Sequence, residues 1–181
     1  TLLAHTIHDR ITSLASSFRT GQAIKQGIPV AIIGKTNVGK STLLNRLVGE
    51  EKAIVSDIHG TTRDIIEDTI DIHGVTFRFV DTAGLRTTDD VIEQIGIERS
   101  YSALSKAAIV LWVIDTPPSE EELSDITSRC KGKQVIAVIN KTDKLPATPS
   151  STFGHALSIP FSTLSISALN GTGINELTDA I

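Results

Sequence analysis

The sequence predicts a layered α/β fold, with a mostly parallel sheet and helices on both faces. Three observations carry that prediction. Short, wholly apolar runs alternate with helical stretches, one segment alternates strictly between apolar and polar residues, and a glycine-rich turn joins the first apolar run to the helix after it. At 181 residues, 40% hydrophobic and 21% charged, the chain is long enough to close one domain around a full core.

Taken in order, Leu3, Ile7, Ile11, Leu14 and Phe18 recur at helical spacing, which predicts an amphipathic helix over the first twenty residues, ending near Gly21. Val30 to Ile33 is apolar throughout and stops at Gly34, as a strand buried on both faces should. Lys40 to Val48 reads as a helix. From Asp68 to Asp81 the period changes to two: Ile70, Ile72, Phe77 and Phe79 share a face and His73-Gly74 makes the turn, a β-hairpin. The runs Ile109 to Ile114 and Val135 to Ile139 each follow a helical stretch, and a last strand lies around Leu164 to Ile166. Lys144 to Pro160, rich in Pro, Ser and Thr, reads as a surface loop. Trp112 and Cys130 read as core.

Composition removes several classes of function. A net charge of −4 offers no electrostatic reason for the whole surface to coat itself with nucleic acid, although a local basic patch stays open. The single cysteine cannot form an internal disulfide, and no Cys/His cluster has zinc spacing, so a reducing compartment is expected. No apolar run nears the roughly 20 residues that span a bilayer and the start lacks a signal-peptide pattern, so the expectation is cytoplasmic, with no membrane partner. His5, His8, His59, His73 and His155 show no nucleophile or metal spacing.

Gly34-Lys35-Thr36-Asn37-Val38-Gly39-Lys40-Ser41 fits a phosphate-binding loop and sits between strand and helix, where that pattern belongs. Its glycines let backbone N–H groups wrap the phosphates at a helix N-terminus. Lys40 is placed to reach the β- and γ-phosphates and the Ser41 hydroxyl to ligate Mg²⁺. Asp81-Thr82-Ala83-Gly84 ends the second hairpin strand; its carboxylate can hold Mg²⁺ through water and Gly84 can move its backbone towards a γ-phosphate. Asn140-Lys141-Thr142-Asp143 follows a buried strand, and the Asp143 carboxylate can accept from N1–H and the N2 amino group of guanine, a donor pair that adenine lacks. Ser167-Ala168-Leu169 can add a backbone N–H for the guanine O6. Together these motifs make the predicted fold a P-loop NTPase of the Ras-like G-domain kind: six strands, mostly parallel, with one antiparallel edge hairpin and helices on both faces. The predicted enzyme is a GTPase.

Gly60-Thr61-Thr62-Arg63-Asp64, with Asn37 in the phosphate loop, resembles the bacterial GTPases that include Era, Der and MnmE (also called TrmE). Asp81 to Arg86 and Glu93 to Arg99 make the resemblance to the MnmE family the nearest, from about Gly27 to the C-terminus. The residue after the DTAG motif is Leu85, which cannot orient water as a glutamine does in small Ras-like GTPases. The resemblance implies two substitutes: a potassium ion beside the phosphates, and Glu93 acting through water. Without the resemblance, Glu93 is an exposed carboxylate at a helix N-terminus, and Asn37 shapes its loop. By resemblance the catalytic residues are Glu93 and Lys40; Mg²⁺ is held by Ser41, Thr62 and, through water, Asp81; and K⁺ by Asn37, Ser56, Ile58 and Thr61. The implied nucleotide contacts run through Asn37, Val38, Gly39, Lys40, Ser41 and Thr42, then Ser56, Asp57, Ile58, His59, Gly60, Thr61 and Thr62, then Asp81, Thr82, Ala83 and Gly84, and finally Asn140, Lys141, Asp143, Ser167 and Ala168.

The same resemblance implies a homodimer through facing G domains, with Arg63 and Arg86 near the contact or simply solvated, and hydrolysis that drives 5-carboxymethylaminomethyl-type modification of the tRNA wobble uridine (U34) with the flavoprotein MnmG. It assigns 1–26 to a helix of a flanking helical domain plus linker, 27–173 to the G domain and 174–181 to the helix returning to that helical domain. A folate-binding domain and a C-terminal cysteine motif would lie outside this chain, which starts at Thr1, holds no methionine and reads as a piece of a longer one. The alternative is an Era- or Der-like ribosome-assembly GTPase working as an RNA-linked switch. Thr36 stands where many relatives have proline and Leu169 where many GTPases have lysine.

Overall fold

The computed structural model describes residues 26–51, 68–80, 82, 102–144 and 159–181. Its elements are β1 (Ile28–Ile33), α1 (Lys40–Glu51), β2 (Asp68–Ile72), β3 (Val75–Phe79), a helical stretch at 102–106, β4 (Ile109–Ile114), α2 (Glu120–Arg129), β5 (Gln134–Ile139), a 3₁₀ turn (Thr142–Lys144), β6 (Ser162–Ser165) and α3 (Ile174–Ala180). The six strands form one sheet in the order β2-β3-β1-β4-β5-β6. Only β2 runs against its neighbour; every other pair is parallel. The predicted α/β class, the edge hairpin and the strand count are all found. The predicted N-terminal helix and residues 145–158 of the predicted loop lie outside the described residues.

The apolar strands are apolar because both faces are covered. Along β1, Val30 and Ile32 join one core with Leu43, Leu44 and Leu47 of α1 and Ile174 and Leu177 of α3. Ala31 and Ile33 face the other core, with Ala103, Leu104 and Cys130, and with Leu123 and Ile126 of α2 packed against it. β4 and β5 divide in the same way: Leu111, Val113, Ile136 and Val138 lie on the first side and Val110, Trp112, Val135 and Ala137 on the second. Trp112 meets Phe161 edge-on, with ring centroids 6.4 Å apart. Each fully buried leucine of α1 contributes about 1.5–3 kcal/mol of hydrophobic stabilisation, so the helix that begins at the phosphate loop is held firmly against the sheet.

The hairpin turns through His73 (φ 52°) and Gly74 (φ 80°), two successive left-handed residues whose twist matches the flanking strands. The predicted inward residues Ile70, Ile72, Phe77 and Phe79 are all buried, while Thr69 and Asp71 are exposed; Val75, beside the turn, is exposed although it shares the Phe77 face. α2 opens with a capping box: the Ser119 side chain accepts from the Glu122 N–H and the Glu122 carboxylate accepts from the Ser119 N–H.

Candidate functional site

The loops after β1, β4, β5 and β6 all leave from the carboxyl ends of parallel strands, where open α/β sheets bind ligands. The loop from Gly34 to Gly39 carries three left-handed residues: Gly34 (φ 147°), Asn37 (φ 62°) and Gly39 (φ 100°). Two of these positions admit only glycine. A Cβ on Gly34 would collide with the Val113 carbonyl of β4, and one on Gly39 with the Asn140 amide. Lys40 starts α1 and folds its ammonium back over the loop, donating to the carbonyls of Gly34 (2.8 Å) and Lys35 (2.5 Å). Burial holds its pKa below the ordinary 10.5. Val38 is buried beneath the loop, while Asn37, Ser41 and Thr42 are exposed. Thr82 is buried.

The second half of the site is built around Asn140, which is 3% exposed. Its amide nitrogen donates to the Val38 carbonyl of the phosphate loop at 2.8 Å. Its amide oxygen accepts from the Ala168 N–H at 2.9 Å. One side chain therefore ties the phosphate loop to the Ser167–Leu169 loop. Lys141 takes a left-handed φ of 63° and its ammonium pairs with Asp115 at 2.6 Å, at the end of β4. Asp143 stands exposed, and one of its carboxylate oxygens accepts from the buried Ser167 hydroxyl at 2.6 Å. That leaves the Asp143 carboxylate oriented by Ser167 and facing solvent.

Three residues that the motifs do not include also hold the site. Asp115 anchors Lys141. Arg46 of α1 reaches across to the carbonyls of Ala168 (3.2 Å) and Leu169 (2.5 Å). Glu122 of α2 pairs with Lys35 of the phosphate loop at 2.8 Å. Burial by itself raises the Glu122 carboxyl, but the Lys35 ammonium and the Ser119 hydrogen bonds outweigh it and leave the group below its ordinary value. Asp115 had a signal, since it follows the carboxyl end of a parallel strand; Arg46 and Glu122 sit on helices among ordinary surface residues.

With this arrangement in view, residues 29–141 match the family model described as 50S ribosome-binding GTPase. The chain belongs to this GTPase family. Among curated proteins, the GTPase domain is 59% identical over 150 residues to the tRNA modification GTPase MnmE of Phocaeicola vulgatus, which covers 81% of this chain and 30% of that protein. It is 50% identical to the protein of that name from Bacteroides fragilis, over 97% of this chain and 39% of the other. For the one from Thermotoga petrophila the identity is 44%, with the same coverage. The chain thus spans about a third of the length of the curated relatives it matches. Among solved structures, the G domain of the T. maritima FeoB iron transporter superposes with a TM-score of 0.53 at 23% identity, over 84% of this chain and 94% of that one. The elongation factor SelB of Methanococcus maripaludis, bound to the GTP analogue GPPNHP, gives 0.57 at 21% identity, over 84% and 32%. These two likenesses establish the fold alone.

The GTPase fold brings together Asn37, Val38, Gly39, Lys40, Ser41, Thr42, Asn140, Lys141, Asp143, Ser167 and Ala168 at one end of the sheet. Ser56, Asp57, Ile58, His59, Gly60, Thr61, Thr62, Asp81, Ala83, Gly84 and Glu93 lie outside the described residues.

Proposed function

We propose that this chain is the GTPase domain of a tRNA modification GTPase of the MnmE kind, and that its hydrolysis of GTP drives 5-carboxymethylaminomethyl-type modification of the wobble uridine with an MnmG-type flavoprotein. The observation that carries the reading is the 59% identity over 150 residues to a protein of that name, on a chain that carries both the Gly34–Ser41 and the Asn140–Asp143 motifs.

In this reading guanine lies against Asp143, which the Ser167 hydroxyl holds in place, and the triphosphate lies in the Gly34–Ser41 loop. Lys40, now bonded to two loop carbonyls, exchanges them for phosphate oxygens. The residues suit the implied cations. Ser41 presents an exposed hydroxyl at the start of α1, a hard oxygen donor for Mg²⁺, with Thr62 and Asp81 as its partners. Asn37 is exposed, held left-handed, and its amide makes no hydrogen bond among the described residues, so its oxygen is available to K⁺ together with Ser56, Ile58 and Thr61. Such cations offset the charge that grows on the transferred phosphoryl group. Glu93 acts on the attacking nucleophile through water. The dimer, the partner flavoprotein, tRNA, and the assignment of 1–26 to a flanking helical domain belong to the same proposal. The expected domain end at 173 shifts, because Ile174 and Leu177 of α3 are buried in the same core as β1 and α1 and 174–181 therefore packs with the GTPase domain.

The test is GTP turnover in potassium and in sodium at equal ionic strength, with oligomeric state followed in the presence of a transition-state mimic. Faster turnover with a dimer only in potassium is expected. Equal rates with a persistent monomer would remove the potassium mechanism and favour the second reading, an RNA-linked assembly switch of the Era or Der kind, to which the description of the matched family also points.

A further inference from the structure

The loop that closes the base end of the site has its peptide planes set from the phosphate side. Arg46 sits on α1, six positions beyond Lys40, and its guanidinium donates to two successive carbonyls, those of Ala168 and Leu169, 122 and 123 positions away. In a trans peptide the C=O of one residue and the N–H of the next point in opposite directions. Drawing the Ala168 and Leu169 carbonyls towards α1 therefore turns the Leu169 and Asn170 N–H groups to the far side. The second of these shows where that side is: the Asn170 N–H donates to the Ser167 hydroxyl oxygen (3.2 Å), and that hydroxyl donates to Asp143 (2.6 Å). The Leu169 N–H has no acceptor among the described residues, while the Ala168 N–H is already taken by Asn140. The loop is otherwise tight, closed by the Gly171 N–H on the Ser167 carbonyl and the Ser167 N–H on the Thr172 carbonyl.

We infer that Arg46 is a positioning residue for base recognition: by holding two carbonyls it aims the Leu169 N–H at the O6 of a guanine seated on Asp143. The inference rests on the guanine-nucleotide reading above and adds to it the residue that orders this contact. It also makes the base site depend on the helix that begins under the phosphates, since α1 carries both Lys40 and Arg46. A guanidinium suits the task because its fixed fork bonds two carbonyls at once, whereas an ammonium is a single point donor.

The test compares binding of GDP and 6-thio-GDP, whose sulfur is the poorer acceptor at position 6, to the 181-residue chain, to Arg46→Leu and to Arg46→Lys. Arg46→Leu is expected to weaken GDP by about tenfold, the scale of a charge-assisted hydrogen-bond network, while 6-thio-GDP loses much less, so that the preference between the two collapses. Arg46→Lys should fall between. The proposal is overturned if Arg46→Leu weakens both nucleotides equally, which is what general loosening of the domain does, or if it changes neither. Thermal melting of each variant identifies loosening directly. If the unaltered chain binds GDP no better than ADP, the guanine reading itself fails, a result distinct from a normal preference that Arg46→Leu leaves untouched.

Discussion

The phosphate end and the base end of this site lie side by side but are built in different ways. Gly34 to Ser41 is a continuous stretch whose shape comes from its own backbone, through left-handed Gly34, Asn37 and Gly39 feeding a helix. The base end is assembled from segments that meet only in the fold: Asn140 to Asp143 after β5, Ser167 to Leu169 after β6, and side chains from β4 and α1 that hold them. The two ends are then joined through Asn140, whose partners lie 102 positions back and 28 positions on. The difference teaches that a phosphate loop can be specified locally, whereas the proposed base-reading end is assembled by tertiary contacts and should be easier to break from a distance.

The largest effect is expected at the joint itself. Asn140→Ala leaves the buried Val38 carbonyl and Ala168 N–H without partners, each at a cost of about 1–3 kcal/mol. Urea denaturation should therefore show a loss of about 2–6 kcal/mol, with GDP binding lost as well. Asn140→Asp should be no better, because it keeps an acceptor for Ala168 and sets an anion against the Val38 carbonyl. If Asn140→Ala kept full stability while losing GDP, the two ends would be independent and the comparison would fall.

A middle-sized effect isolates the phosphate end. Burial lowers the Lys40 pKa in the empty loop, and phosphate oxygens beside the ammonium should raise it again. The electrostatic contribution of Lys40 to nucleotide affinity is then fully present at pH below the empty-loop value, which itself lies below 10.5, and is lost as pH rises from there through the nucleotide-bound value. Lysine side-chain NMR, with Lys40→Ala assigning the resonance, should show a titration midpoint for Lys40 below the ordinary 10.5 and an upward shift on adding GDP. A midpoint that GDP does not move would take Lys40 off the phosphates.

The smallest effect is expected at Lys35–Glu122, an ion pair whose side chains are 65% and 31% exposed. Exposed pairs contribute roughly 0–1 kcal/mol, and salt screens them. Glu122→Gln should lower stability by no more than that, and the difference from the parent chain should vanish in high salt. Because the Glu122 pKa is lowered in the folded state, its contribution is present at neutral pH and disappears as pH falls through the folded value. A larger or salt-independent loss would mean that the α2 capping box, to which Glu122 also belongs, is what holds the phosphate loop.

Much of this was legible in the residues, for reasons that can be named. The hairpin showed itself because a half-buried strand must alternate, and Ile70, Ile72, Phe77 and Phe79 do. The buried strands showed themselves because both faces are covered, so no polar residue interrupts Ile109 to Ile114. The phosphate loop was legible because Gly34 and Gly39 take positive φ values that strongly favour glycine whatever surrounds them. The chemistry of Asp143 against guanine could be read from its motif, but the Ser167 hydroxyl that orients it could not.

What the sequence by itself determined is the set of parts whose cause is local: the period of each element, the turn residues, the glycines of the phosphate loop and the functional groups that the motifs carry. What only the tertiary structure decided is which groups meet. Asp115 finds Lys141 across 26 positions, Arg46 finds the Ala168 carbonyl across 122, and Asn140 has both ends of its amide used inside the protein. The physical reason is that periodicity and backbone preference act over a few neighbouring residues, whereas a hydrogen bond requires only that two groups lie about 3 Å apart, and parallel strands joined through helices bring distant residues to the same edge of the sheet.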